Sequence, residues 1–301
     1  MSQYTRKLQE NMFNKKPTVS IIIVSYNTKE LLEACIQSVE QFADIPYELI
    51  VSDNGSTDGT IETLRKNKKI LLIENKENLG FAKGNNVAKR LAQGKYILFL
   101  NPDTMFTSNC LSETVSYLTK NANVGALTCK VLLPSGVLDK DTRRSFPTPF
   151  IALTHFSGLD KVFPHSRIFA KYWYGYKSED EVHEIDSLQG AFFLVQKALL
   201  DKVGWFDEDY FMDGEDIDLC FKIKKAGYSI IYYPKVSILH IKKGSKKKNK
   251  SLRSVVGGVV AMETFYKKRL WSQHFLLINI LVILGIRLLR ILRTIKFYVS
   301  S

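Results

Sequence analysis

The sequence predicts an α/β fold: a mostly parallel sheet with helices on both faces. Three observations carry that expectation. Short β-branched and aromatic runs recur at Val19–Val24, Tyr47–Val51, 70–73 and Tyr96–Leu100. Stretches with helical apolar spacing separate them, such as Leu31, Leu32, Ile36 and Val39. Val19–Val24 and Tyr96–Leu100 are apolar on both faces, as buried parallel strands are. The resulting β-α-β-α-β-α-β order over the first 103 residues calls for crossover connections. The 301 residues, 45% hydrophobic, suffice for one large domain with an appendage.

Residues 1–16 read as a polar tail or short helix without an apolar leader segment. The first strand ends in Ser25-Tyr26-Asn27, and a helix spans 29–43. The second strand ends in Asp53-Asn54-Gly55-Ser56, followed by a helix around 58–67, a strand at 70–73 and a helix over 80–92. The fourth strand closes on Asn101-Pro102-Asp103. From about 134 to 187 the chain has no clear period and reads as a long loop region with short elements, suited to a mobile lid. Regularity returns in a strand at Gly190–Val195 and a helix at Lys197–Val203. Asp213-Gly214-Glu215-Asp216 opens a helix to about Ala226, and strands follow at Tyr228–Tyr233 and Val236–His240.

The net charge of +13 is not spread evenly. From Lys242 to Ser301 there are 14 Lys and Arg against one acid, Glu263, so this module carries the whole excess. Lys242–Lys250 lacks interleaved aromatics, which points away from nucleic acid and toward an anionic surface. Phe275–Ile286 is a run of 12 residues, apolar except for Asn279 and Gly285, about 18 Å as a helix and short of the ~30 Å hydrocarbon core. Arg287, Arg290, Arg293 and Lys296 follow, with Leu288, Ile291, Leu292 and Ile295 on the other side. A basic amphipathic helix of this kind lies in the plane of a membrane. Packing on its own domain, or on a second copy in a homodimer, is the alternative. The boundaries read 1–16 for the tail, 17–241 for the α/β domain and 242–301 for the helical module. Cys35, Cys110, Cys129 and Cys220 form no Cys-x-x-Cys pair and read as buried thiols in a reducing compartment.

In parallel sheets ligands sit beyond the carboxyl ends of the strands, where three polar clusters fall. Asp103 suits a divalent cation beside a diphosphate, Mg²⁺ or Mn²⁺ being oxygen-seeking. Asn-Pro-Asp is equally good turn chemistry. Asp53 can accept from the imide N–H of uracil or thymine, or belong to a tight turn. Asp216 can act as a general base toward a hydroxyl, with Glu215 beside it to raise a pKa, or both acids can complement a helix dipole. His240 is a candidate metal or phosphate contact, and the lysines after it can neutralise a leaving diphosphate. No G-x-G-x-x-G or P-loop motif is present.

Taken together, Val19–Asn27, Asp53-Asn54-Gly55-Ser56-Thr57-Asp58-Gly59, Asn78-Leu79-Gly80-Phe81 with Asn85, Leu100–Asp103, Gly190-Ala191-Phe192 and Glu215–Leu219 resemble bacterial inverting glycosyltransferases of family 2. The resemblance covers roughly 18–245 and leans to the rhamnosyltransferase-type branch. It implies the GT-A (Rossmann-like) fold and a nucleoside-diphosphate sugar donor, dTDP or UDP, with rhamnose a candidate sugar. Ser25, Tyr26, Asn27, Asp53, Asn54, Gly80, Asn85 and Asn101 would bind that donor. Asp103, as the last residue of the family's DxD-type motif, would hold the metal, and His240, from its own position at a strand end, is the candidate to join it. Asp216, beside Glu215, would be the base. The membrane placement of the basic helical module, rather than any acceptor motif, suggests a lipid-linked or other glycan as acceptor, at the cytoplasmic face of the plasma membrane in cell-surface polysaccharide synthesis. Two positions depart from the pattern: Asn101 replaces the first acid of DxD, and Lys222 stands where Arg is expected. Asn101 keeps open a catalytically inactive sugar-nucleotide-binding or scaffold protein.

Overall fold

A computed structural model describes residues 16–242 and 252–300. Its strands are β1 (Val19–Ser25), β2 (Tyr47–Asp53), β3 (Ile70–Glu74), β4 (Tyr96–Leu100), β5 (Thr104–Phe106), β6 (Val124–Leu132), β7 (His183–Ile185), β8 (Phe192–Gln196) and β9 (Ser229–His240). Its α-helices are α1 (Lys29–Phe42), α2 (Thr60–Leu64), α3 (Gly80–Asn86), α4 (Leu111–Lys120), α5 (Pro149–Phe156), α6 (Leu159–Val162), α7 (Lys197–Val203), α8 (Glu215–Lys225), α9 (Leu252–Phe265) and α10 (Leu276–Ser300).

The described strands join in one sheet, β3-β2-β1-β4-β8-β6-β9-β5, with β7 also on β9. The first four strands pair in parallel. Beyond β4 the sheet is mixed: β8 is antiparallel to β4 and β6, β6 and β9 are parallel, and β5 and β7 run antiparallel on β9. Alternating side chains feed two cores, one on each face. Ile21, Ile23, Leu49 and Leu98 pack with Leu32, Ile36 and Val39 of α1 and Leu111 and Leu118 of α4. Ile22, Ile50, Ile97 and Phe99 pack with Leu199 of α7 and Leu219 and Ile223 of α8. All four cysteines are free and buried.

Several expected elements differ. β5, α4 and β6 occupy 104–132, a stretch with no expected element. The strands expected at Tyr228–Tyr233 and Val236–His240 are one, β9. Its pairing jumps from Cys129↔Tyr233 to Lys130↔Ser237, so Pro234, which has no N–H to donate, sits in a bulge. The helix expected over 80–92 is α3 followed by a 3₁₀ turn at Val87–Arg90, and that expected over 58–67 is the shorter α2.

The start of α3 docks on the segment before α8. Phe81 N–H donates to the Phe211 carbonyl at 2.8 Å. Gly80 has φ +78°, and a Cβ there would lie 2.2 Å from that same oxygen. Gly80→Ala is expected to destabilise the fold by about 3 kcal/mol, from strain and overpacking together. A urea midpoint equal to wild type would show that the two segments do not approach this closely.

Residues 252–300 form a helical hairpin, α9 and α10, joined by a π-helical turn at Tyr266–Leu270 and a 3₁₀ turn at Trp271–Gln273. Its inner side, including Val259, Phe265, Leu270, Ile283 and Ile286, packs on Tyr210 and Ile217. Arg269 grips Asp218 through Nε and Nη2 at 2.6 and 3.0 Å, and Lys268 reaches Asp207 at 2.7 Å. The hairpin is thus seated on the helix that opens with Glu215-Asp216. No helix among the described residues is long and apolar enough to cross a membrane. The polar tail over 1–15 and the basic stretch 243–251 lie outside the described residues.

Candidate active site

The carboxyl ends of β1, β2 and β4 lie side by side. Ser25 is in register with Asp53, and Ile23 with Leu100, so Ser25–Asn27, Asp53–Ser56 and Asn101–Asp103 emerge at one edge. The first two loops are tied together. Asn54 N–H donates to the Ser25 carbonyl, Asn27 N–H to Ser56 Oγ, and Thr57 N–H to Asn27 Oδ1, each at 2.8 Å. Asn27 adopts φ +52°, a conformation asparagine tolerates. Asp53 is fully buried, its Oδ1 accepting the Ser56 N–H and its Oδ2 the Ser56 hydroxyl. Tyr26 stands out from this frame, 47% exposed.

Asn54, Gly80 and Asn85 sit differently. The Asn54 side chain donates to the Gly80 carbonyl at 3.0 Å and accepts from Asn75, stitching the end of β2 to the start of α3. Asn85 is buried and donates to the Phe81 carbonyl of its own helix. Their described contacts are therefore with the protein. Asn101 braces a turn through its carbonyl, which accepts from Thr104 Oγ1 at 2.7 Å.

Asp103 faces the end of β9. His240 Nε2 lies 3.2 Å from Asp103 Oδ1, and His240 Nδ1 lies 3.0 Å from Asp139 Oδ2. Asp139 also accepts from Lys242 Nζ at 2.8 Å and from Gln189 Nε2 at 3.1 Å. Burial would lower the His240 pKa, but hydrogen bonds to Asp103 and Asp139 outweigh it and hold the imidazole at about 9. Asp139 lies well below the usual carboxylate range: burial opposes ionisation, but His240, Lys242 and Gln189 overcome it.

The donor set can take a divalent cation. Asp139 fixes the imidazole through Nδ1, as carboxylates do for metal-bound histidines, leaving Nε2 beside the Asp103 oxygen. A cation there would take the place of the Nε2 proton. The described residues contain no group of three or more His, Cys, Asp or Glu able to hold a metal. Phosphate oxygens and water would have to complete the shell, as is usual for Mg²⁺.

Asp216 and Glu215 begin α8 and are both buried. Arg144 Nη2 lies 2.6 Å from Asp216 Oδ2 and donates to the Leu188 carbonyl at 2.9 Å. Asp216 Oδ1 accepts the Ile217 N–H. Burial, and then the neighbouring Asp216, push the Glu215 carboxyl well above its ordinary value, and its Oε2 has no hydrogen-bond partner. Glu215 is therefore held toward its protonated form. Lys222 donates to the Gly204 and Trp205 carbonyls, a backbone-bracing role. Gln189 follows Leu188, so one short segment braces both Asp139 and Arg144.

Sequence reasoning missed Arg144, Asp139 and Gln189. All three lie on or beside the aperiodic segment, where a buried polar residue leaves no periodic trace. An Arg-Arg pair amid Pro and aromatic residues was the available signal.

Comparison with known proteins bears on this arrangement. The chain is 26% identical over 236 residues to N-acetylglucosaminyl-diphospho-decaprenol L-rhamnosyltransferase of Mycobacterium tuberculosis, covering 74% of this chain and 75% of that one. It is 28% identical over 231 residues to rhamnosyltransferase WbbL of Escherichia coli, covering 74% and 83%. Among solved structures it is similar in fold to the mannosyltransferase PcManGT from Pyrobaculum calidifontis in complex with GDP-Man and Mn²⁺. That match has TM-score 0.57 at 20% identity, over 88% of this chain and 70% of that one. It is also similar to Staphylococcus aureus TarS 1–349, with TM-score 0.53 at 16% identity, over 84% and 72%. These are GT-A glycosyltransferases, as the resemblance implied. The Glycosyl transferase family 2 model matches residues 20–180, more than half the chain, and the protein belongs to that family.

Proposed function

We propose that this transferase moves a sugar, with rhamnose the first candidate, from a dTDP- or UDP-sugar to a hydroxyl of a lipid-linked glycan with inversion, in cell-surface polysaccharide synthesis. The observation that carries the reading is the connected polar wall running from Asp103 through His240, Asp139 and Gln189 to Leu188, Arg144 and Asp216. It links a candidate diphosphate end to a candidate base. Tyr26 offers a ring face and Asp53 a carboxylate to the nucleobase, on the frame shared with Ser25 and Asn27. Asn54, Gly80, Asn85 and Asn101 support the donor site by bracing its loops. Asp103 and His240 would hold Mg²⁺ or Mn²⁺, which neutralises charge on a bound diphosphate.

Asp216 accepts the proton of the acceptor hydroxyl as that oxygen bonds to the anomeric carbon and the bond to the diphosphate oxygen breaks. One displacement inverts the centre. Arg144 restrains Oδ2 of the base, and burial beside Asp216 holds the Glu215 carboxyl toward its protonated form, which limits the charge next to the base.

The helical hairpin favours attachment to an anionic membrane surface at the cytoplasmic face of the plasma membrane. Leu277, Leu281, Leu284, Leu288, Ile291 and Ile295 run along one side of α10 and are each more than half exposed. Arg287, Arg290 and Lys296 are exposed beside them. An apolar stripe with basic flanks suits an interfacial helix. With 242–301 as the attachment module, 17–241 is the transferase domain.

A thermal-shift series with dTDP-rhamnose and UDP-sugars, with and without Mn²⁺, tests the donor site. A true donor at a hundred times its Kd should raise Tm by about 5–10 °C. Asp103→Asn should abolish the part of the rise that needs Mn²⁺. A Tm unmoved by every nucleotide sugar would sink the reading.

A further inference from the structure

Asp216 and Asp218 are two residues apart in the first turn of α8, so they leave the helix about 200° apart. Each meets a guanidinium from outside the helix. Arg144 holds Asp216 on one side at 2.6 Å. On the other side Arg269, from the helical hairpin, holds both oxygens of Asp218 at 2.6 and 3.0 Å. The Asp218 side chain is fully buried, and the Tyr210 hydroxyl donates to it at 3.3 Å. With Glu215 beside them, three acids crowd this turn. The positive end of the helix dipole amounts to about half a charge, too little for such a group.

Lys222 lies one turn further along α8, yet its Nζ stops 4.0 Å from Asp218 Oδ2 and donates to the Gly204 and Trp205 carbonyls. The bidentate contact to Asp218 comes instead from Arg269, 51 residues away.

The hairpin also reaches the segment of the other clamp. The Phe265 ring at the end of α9 lies 6.1 Å from that of Phe146 and 5.8 Å from that of Phe221, centroid to centroid, and Phe146 is two residues beyond Arg144. Ala261 of α9 sits against Gly214, the residue before α8, where a Cβ would lie 2.9 Å from the Ala261 Cβ. Lys268 pairs with Asp207 and Asp209 at 2.7 and 2.5 Å, in the loop that leads to α8.

We propose that Arg269 is a positioning residue for the candidate base: it is the second of two guanidinium clamps on the first turn of α8, and sugar transfer requires the hairpin that carries it. A buried carboxylate stripped of its cation turns toward water or takes up a proton, and either change disturbs the turn that aims Asp216. Misplacing a reacting group by about 1 Å costs about a hundredfold in rate. The effect on transfer rests on the transferase reading above; the clamp itself does not.

Two measurements on the full chain test it, comparing wild type with Arg269→Ala, Arg269→Lys and Arg269→Ala/Lys222→Arg. The first is amide hydrogen exchange. Arg269→Ala should speed exchange across 215–220 by about tenfold or more while β1–β4 keep their protection. Arg269→Lys should recover part of it. Lys222→Arg, which sets a planar fork on the same helix as Asp218, should recover most. The second is turnover of dTDP-rhamnose with geranyl diphospho-N-acetylglucosamine as acceptor. In Arg269→Ala kcat should fall by about tenfold to a hundredfold, with KM for dTDP-rhamnose within about twofold of wild type. Lys222→Arg should restore it, which lost hairpin packing alone would not allow. Exchange like wild type in Arg269→Ala, faster exchange with full kcat, or losses that neither Arg269→Lys nor Lys222→Arg reduces each overturn the proposal. If Arg269→Ala does not fold, Arg269→Lys and Arg269→Lys/Lys222→Arg carry the same comparison. A wild-type chain with no turnover counts against the transferase reading alone, and the exchange result still decides the clamp.

Discussion

Asp216→Asn is expected to reduce sugar transfer by about 10²–10⁴-fold while leaving donor affinity within about twofold of wild type. The amide has nearly the shape of the carboxylate and can still accept from Arg144 through its oxygen. It cannot take a proton from a hydroxyl. Because Asp53, Tyr26 and Asp103 stand on other loops, the nucleotide site should be untouched. The measurement is single-turnover transfer at saturating donor, with donor affinity taken separately by calorimetry. Turnover in the variant within a few-fold of wild type would remove Asp216 as the base. Equal loss of donor binding would make the substitution a structural lesion and leave the role unassigned.

Arg144→Met should cost more in stability than any other single change at the site, about 3–5 kcal/mol. The guanidinium is almost buried, its side chain 11% exposed, and the Asp216 side chain is 10% exposed. Removing the cation strands a carboxylate away from water and also frees the Leu188 carbonyl. Arg144→Lys retains the charge but cannot present the same planar fork, so partial rescue of the urea midpoint is expected. If the pair organises the base as well, turnover of the folded Met variant should fall and its pH profile should shift, since the charge facing Asp216 has gone. A midpoint matching wild type would mean that the ion pair is not a buried one.

Much of the fold was legible because its first half obeys simple periodicities. β4 is an unbroken apolar run, β1 is apolar apart from Ser20 and the terminal Ser25, and α1 carries Leu32, Ile36 and Val39 on one side. The polar clusters after β1, β2 and β4 could be read as a ligand edge because parallel sheets bind ligands there. The rest was hidden for identifiable reasons. β5 has only three residues, too few for a pattern. β6 is buried almost throughout, so no alternation marks it. Gly80, Asn54 and Asn85 carry the marks of a ligand loop, yet their visible partners are protein atoms. Arg144 and Asp139 are fixed by partners 72 and 101 residues away, Asp216 and His240 respectively. Separations of that size have no local signal.

The bulge at Pro234 reaches the chemistry through parity. Before it, even-numbered Ile230 and Tyr232 belong to one core and odd-numbered Ile231 to the other. After it, even-numbered Val236 and Ile238 join the core of Ile231. The strand has changed phase by an odd number of residues. His240 inherits the new phase and so meets Asp103. Removing one residue from 234–236 would restore the old phase and turn the imidazole to the opposite side of the sheet, with every side chain around Asp103 left intact.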